Sequence, residues 1–247
     1  MLNDVLIFIA IGFAAQMVDG AIGMAYGVIA TTILMSFGVP PATASASVHA
    51  AEVFTTAASG TAHWRLGNVD RKLALRLAVP GMFGGVVGAY VLATVPGDRI
   101  RPIVSVYLLV MGAVILWRSI WKARSGHETP KYVGILGLLG GFLDAIGGGG
   151  WGAMVTTTLI GRGVTARFAI GSASVAEFFV TAIVTAAFVA TIGLTLWPVI
   201  TGLVIGGIIA APFAAYATKR LPDQPVMILV GVVVILLSLR SLLSVFW

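Results

Sequence analysis

Long apolar runs dominate this chain, and polar positions gather in the short breaks between them. Eight apolar stretches stand out, at about residues 4–37, 43–63, 74–95, 101–121, 132–161, 167–191, 195–217 and 225–246. Roughly 20 helical residues cross a hydrocarbon core, so stretches of this length predict membrane-spanning helices. A transmembrane barrel would need short segments of period two, and none is present. The expected fold is all-α: a polytopic helical membrane protein.

The first and fifth stretches are longer than a span and are interrupted by glycine. The first reads Asp19-Gly20-Ala21-Ile22-Gly23-Met24-Ala25-Tyr26-Gly27. The fifth reads Asp144-Ala145-Ile146-Gly147-Gly148-Gly149-Gly150-Trp151-Gly152. Each glycine inside a helix costs about 1 kcal/mol relative to alanine, so four in succession end one. The arms on either side cover only about half the hydrocarbon thickness. Each stretch is therefore expected to be a broken helix or a re-entrant hairpin with glycine at its tip.

These two stretches are also related. A shift of 125 residues superposes Asp19 on Asp144, Gly23 on Gly148, Gly27 on Gly152, Thr31-Thr32 on Thr156-Thr157, Ser47 on Ser172 and Glu52 on Glu177. From Gly12 to Ala57, 16 of 46 positions match without a gap. Chance readily repeats Ala or Val in apolar sequence, but not an Asp and a Glu at one fixed separation. The chain reads as two repeats, 1–121 and 132–247, joined by a polar cytoplasmic linker, 122–131. Each repeat has three full spans and one glycine-broken segment, giving up to ten helices.

Charge adds an orientation. Only 10% of residues are charged and 59% are hydrophobic, against about 25% charged in a soluble domain. The formal net charge of +6 lies in loops between apolar runs, which points to membrane orientation rather than nucleic acid. Arg65, Arg71, Lys72 and Arg76 mark one basic loop, and Arg118, Lys122, Arg124 and Lys131 another. In the second half the basic loops are Arg162 to Arg167 and Lys219-Arg220, which match weakly charged loops of the first. The bias switches sides between halves, so the repeats are expected to be inverted, with both termini outside. There is no cysteine, which excludes disulfides and thiolate metal sites. No cofactor or metal is expected.

Four of the nine acidic residues, Asp19, Glu52, Asp144 and Glu177, lie within apolar stretches. An ionisable group at that depth is costly and usually faces a bundle interior or a transport path. These four, with His49 three residues before Glu52, are candidates for coupling or gating. Asp19 and Asp144 could equally cap helices that restart after the glycines. A helix restarting at mid-membrane presents free N–H groups and a positive dipole end, a combination that binds anions. The candidate substrate-binding residues are accordingly Gly23, Gly27, Thr31 and Thr32 in the first half and Gly147, Gly148, Gly149, Gly150, Trp151, Thr156 and Thr157 in the second. Ser47 and Ser172 join them. No residue is assigned a catalytic role: a nucleophile and base drawn from Ser47, His49 and Glu52 would lack a counterpart of His49, where the second half has Ser174.

The glycine-rich segment with its acid, the following Gly38-Val39-Pro40 or Gly163-Val164 turn, and the Ser-x-Ser or Ser-x-Ala start of the next helix resemble the TauE/SafE family over nearly the whole chain. That resemblance implies a secondary transporter of the bacterial inner membrane that handles sulfite, sulfonates or related anions, often as an exporter. The first-half tip is poorer in glycine than the second, which makes anion binding there the weaker expectation. A transporter coupled to protons through Glu52 or Glu177 is the leading reading. An uncoupled channel and an importer of the same anions are the alternatives, and an intramembrane enzyme is the least favoured. The expected partners are a small anion and the lipid bilayer, with no nucleic acid and with a monomer or homodimer equally arguable.

Overall fold

The computed structural model describes residues 2–22, 24–120, 132–217 and 223–243. Gly23, most of the polar linker and Lys219-Arg220 fall outside them. Among the described residues the chain is helical throughout. The first half comprises α1 (Leu2–Ile22), α2 (Tyr26–Ser36), α3 (Pro41–Arg65), α4 (Arg71–Thr94) and α5 (Gly97–Ile120). The second comprises α6 (Val133–Gly147), α7 (Gly152–Gly161, opening with a π-helical turn), α8 (Ala166–Thr191), α9 (Trp197–Ala217) and α10 (Asp223–Leu243). Helices α4, α5 and α8 are long and apolar enough to cross a membrane, with mean hydropathies of 1.6, 2.0 and 1.9. The 25-residue α3 is less apolar because it lies inside the bundle, where Ser45, Ser47, His49, Glu52, Thr55 and Thr56 are all buried.

Helix directions follow from which residues touch. Gly137 abuts Leu77, Gly141 abuts Gly81, and Gly88 abuts Phe142 and Ala145, so α6 runs parallel to α4. In the same way Gly202 abuts Val5 and Phe8 while Gly206 abuts Ile9 and Phe13, so α1 runs parallel to α9. Without side chains at these glycines the backbones approach closely, the usual device of helix packing in lipid. A Cβ on Gly141 would lie 2.1 Å from the Gly81 carbonyl oxygen. Helix α8 runs antiparallel to α3, with Thr56 opposite Thr181 and Gly60 opposite Val175. Helix α10 runs antiparallel to α5, with Ser105 opposite Ser241 and Gly112 opposite Gly231.

Helix α5 fixes where the broken segments go. Near its start, Arg101 Nη2 donates to the Met35 carbonyl at the end of α2 (3.2 Å). Near its end, Arg118 Nη1 donates to Thr157 Oγ1 of α7 (2.6 Å). At its middle, Tyr107 OH donates to the Gly149 carbonyl between α6 and α7 (3.0 Å). Helices α1 and α2 therefore enter and leave on the face where α5 begins, and α6 and α7 on the face where it ends. Both broken segments are re-entrant hairpins, inserted from opposite faces, and the repeats are inverted. Thr56 and Thr181, equivalent under the 125-residue shift, face each other across the pseudo-two-fold axis with hydroxyls 3.5 Å apart.

The two halves are interdigitated. Each hairpin's first helix packs on a spanning helix of the other half, α1 on α9 and α6 on α4. Charge separates the faces as well. Arg65, Arg71, Lys72, Arg76, Arg118, Arg162 and Arg167 lie towards one face, and Arg99, Arg101 and Arg240 towards the other.

Candidate functional site

The two hairpin tips meet at the middle of the bundle. Their backbones touch: a Cβ on Gly27 would lie 2.5 Å from Gly149 Cα, and one on Gly149 would lie 2.3 Å from the Gly27 carbonyl carbon. Thr31 Oγ1 donates across the contact to the Gly148 carbonyl. The second tip turns through Gly148, Gly149 and Gly150, with φ of 69°, 139° and 132°. The position equivalent to Gly150 is Ala25, whose φ of 97° is the one positive value outside glycine among the described residues. A side chain there costs roughly 1–2 kcal/mol. Ala25→Gly should therefore raise the thermal stability of the purified protein, by about 0.5–1 kcal/mol once the looser unfolded chain is allowed for. A fall in melting temperature would show that Ala25 is not strained.

Each tip is closed by its aspartate. Asp144 Oδ1 accepts from the Trp151 N–H (2.8 Å) and Asp19 Oδ1 from the equivalent Tyr26 N–H (3.4 Å). These bonds cap α7 and α2 at their N-termini, as the aspartate spacing suggests. The two aromatic side chains then tie each tip to the surrounding spans. Tyr26 OH donates to the Leu203 carbonyl of α9 (3.1 Å), and Trp151 Nε1 to the Ala173 carbonyl of α8 (3.1 Å).

The second tip carries further ties. Asp144 Oδ2 lies 3.2 Å from His49 Nε2 on α3, with both side chains almost wholly buried. His49 Nδ1 lies 2.9 Å from the Ser45 carbonyl. The Ser45 hydroxyl lies 3.3 Å from the same nitrogen. Ser45 Oγ donates to the Ala145 carbonyl (2.7 Å), a second tie from α3 to the end of α6. His49 thus turns to Asp144 rather than to Glu52, its neighbour on the helix.

Glu52 and Glu177 face the tips from the middles of α3 and α8. With Asp19, Tyr26, Thr56 and Gly150 they line a cavity of about 10 Å³, enough for the centre of one water molecule. Glu52 is 4% exposed; its carboxylate faces the Gly27 N–H, and its Oε2 has no hydrogen-bond partner among the described residues. Thr55 and Thr56 hydroxyls donate to the Glu52 carbonyl, at 3.3 and 2.5 Å. Glu177 is half-buried. The positive N-terminal ends of α2 and α7 are thus met by carboxylates, which occupy the positions an incoming anion would seek.

The remaining candidates lie at varying distances from this centre. Gly147 packs on the Tyr107 ring, and Thr156 is buried on α7 one turn beyond the tip. Thr32 Oγ1 donates within α2 to the Val28 carbonyl (2.6 Å), and Thr157 Oγ1 receives Arg118. Ser47 Oγ donates within α3 to the Thr43 carbonyl (2.8 Å). Ser172 Oγ accepts from the Asp70 N–H (2.9 Å), linking the start of α8 to the α3–α4 turn on the basic face. Tyr26, Tyr107, Thr56 and Thr181 complete the centre without having stood out in sequence; a tyrosine hydroxyl or a repeated threonine inside an apolar helix is the signal that marks them.

Comparison with known proteins agrees with this architecture. Residues 8–241 match the family described as Sulfite exporter TauE/SafE. The probable membrane transporter protein YtnM of Bacillus subtilis (strain 168) is 40% identical over 253 residues, covering 98% of this chain and 84% of the relative. No solved structure matches. With a family match that takes in both hairpins and all six spans, and a relative of this similarity along almost the full chain, this protein belongs to the TauE/SafE family and is a membrane transporter.

Proposed function

We propose that this protein moves a small sulfur-containing anion, sulfite or a sulfonate, across the bacterial inner membrane together with a proton, and works as an exporter when the anion accumulates inside. The observation that carries the proposal is the meeting of two helix N-termini at mid-depth, each closed by a carboxylate. Backbone N–H groups of α2 and α7, with the Thr31 and Thr156 hydroxyls nearby, would take the anion's oxygens. Asp19, Glu52, Asp144 and Glu177 repel an anion while ionised, so a proton on the central glutamates favours its arrival. The family description supports the substrate class and the direction. The concentration of basic residues on one face supports placing that face in the cytoplasm.

The touching tips and the single-water cavity favour a carrier over an open channel, because an anion passes only when the hairpins part. Purified protein in liposomes tests both points. Radiolabelled sulfite should show trans-stimulation, and net sulfite flux should move the internal pH. Glu52→Gln and Glu177→Gln should each weaken that pH change while sulfite exchange persists. Normal flux with unchanged pH dependence in both variants would exclude the glutamates from coupling.

A further inference from the structure

Away from the tips, the two-fold relation between α3 and α8 breaks down in one place. On the basic side of Thr56 a trough lies along the α3–α8 seam, open to the outside of the bundle. It is lined by Thr56, Gly60 and Trp64 of α3 and by Val175, Phe178 and Phe179 of α8. Its volume is about 360 Å³, within the range of small-molecule pockets, and its lining is overwhelmingly apolar. Arg65 lines its mouth, and the Arg71 guanidinium stacks over the Trp64 ring at 4.7 Å. Lys72 follows at the start of α4.

Several residues at this trough and its mouth are not shared by the repeat. Under the 125-residue shift Gly60 becomes Thr185, Trp64 becomes Val189, Arg65 becomes Ala190 and Arg71 becomes Leu196. The equivalent positions in the other half thus have a side chain in place of the glycine, and neither the tryptophan nor the two arginines. Packing between the repeats does not need this asymmetry, since Thr56 and Thr181 still meet on the axis. A long apolar channel ending in two guanidiniums beside an exposed tryptophan matches one chemistry: an acyl chain with a negatively charged headgroup. Basic pockets between helices on the cytoplasmic side bind anionic lipids in this way.

The structure assigns this trough as a binding site for an anionic phospholipid of the leaflet at the basic face. Its phosphate sits at Arg65 and Arg71, and one acyl chain runs along Gly60 as far as Thr56. Thr56 is shared with the central cavity and donates to the Glu52 carbonyl, so an occupied trough bears on the α3–α8 contact beside the glutamates. The assignment stands whatever the transported anion proves to be.

Native mass spectrometry of the purified protein with phosphatidylglycerol or phosphatidylcholine tests it. Two guanidinium contacts, at roughly fivefold each, predict about a 25-fold preference for phosphatidylglycerol. Arg65→Gln with Arg71→Gln, both at exposed positions, should remove the preference while leaving weak binding of either lipid. Gly60→Leu should fill the trough and remove bound lipid altogether. Should that variant fold poorly, brominated lipids in vesicles give a second readout: brominated phosphatidylglycerol should quench more tryptophan fluorescence than brominated phosphatidylcholine in the wild type, and that excess should vanish in Trp64→Phe. Equal retention of the two lipids, or retention unchanged in the double arginine variant, would overturn the site. So would a dimer that Gly60→Leu disperses, since the trough would then be covered by a second copy of the chain.

Discussion

Asp144→Ala is expected to destabilise the protein by about 2–4 kcal/mol, combining a lost helix N-cap with a buried ring nitrogen left without its hydrogen-bond partner. The change withdraws the acceptor of the Trp151 N–H and leaves the His49 ring buried beside an apolar methyl group. Asp19→Ala, the same change in the other half, should cost only about 1 kcal/mol, the usual loss of a helix N-cap. Asp19 is half-buried, makes one long bond to Tyr26 among the described residues and has serine at position 174, the equivalent of His49. Unfolding in detergent, followed by circular dichroism, measures both. Equal losses would show that the His49 pair contributes nothing beyond the cap. His49→Ser supplies the natural control, since it places at position 49 the residue that the repeat has at the equivalent position 174.

The second large effect is expected where the tips touch. Gly149→Ala would place a methyl group 2.3–2.4 Å from the Gly27 backbone, at a φ of 139°. Neither side of that contact is a flexible side chain that could swing away. Overpacking of roughly 1–3 kcal/mol and a left-handed penalty of roughly 1–2 kcal/mol give a combined cost of ~2–5 kcal/mol. Transport should also fall to background, because the tips can no longer close on each other. Gly38→Ala separates the two contributions. Gly38 has a φ of +87° but nothing within 4 Å of an added Cβ, so it should show the strain alone and keep its transport. Transport in Gly149→Ala at the wild-type rate would mean that the tips do not need to meet.

Much of this architecture can be read from the chain because the repeat preserves polar residues in an apolar background. The matched Asp19/Asp144 and Glu52/Glu177 pairs locate the tips and the centre, and the switching of basic loops gives the inversion. Re-entrance is harder to read. Helix α1 has 21 residues, enough by length to cross a bilayer, and only its parallel packing on α9 with the return of α2 to Arg101 shows that it turns back. The partner of His49 is hidden for a similar reason. Glu52 is three residues away on the same helix, whereas Asp144 is 95 residues distant and reaches His49 through an inter-half contact. Ser47 and Ser172 resemble ligands in sequence because small hydroxyls suit both anions and backbone groups; in the fold Ser47 bonds within its own helix and Ser172 takes the Asp70 N–H of the α3–α4 turn. The strain at Ala25 has no sequence signal beyond its alignment with Gly150.

The interdigitation of the halves has a consequence for biosynthesis. Helix α1 emerges from the ribosome well before the surface it packs on, which belongs to α9 and begins at Trp197. At about 5–20 residues per second the first hairpin waits roughly 10–40 seconds for that surface. During that interval the buried face of α1, with Gly12 and Gln16, meets lipid or the insertion machinery instead of protein. Helix α6 has no such delay, because α4 is already in place when it appears. The order of synthesis therefore makes the second hairpin the first to settle, and it is also the one that α3 fastens through Ser45 and His49.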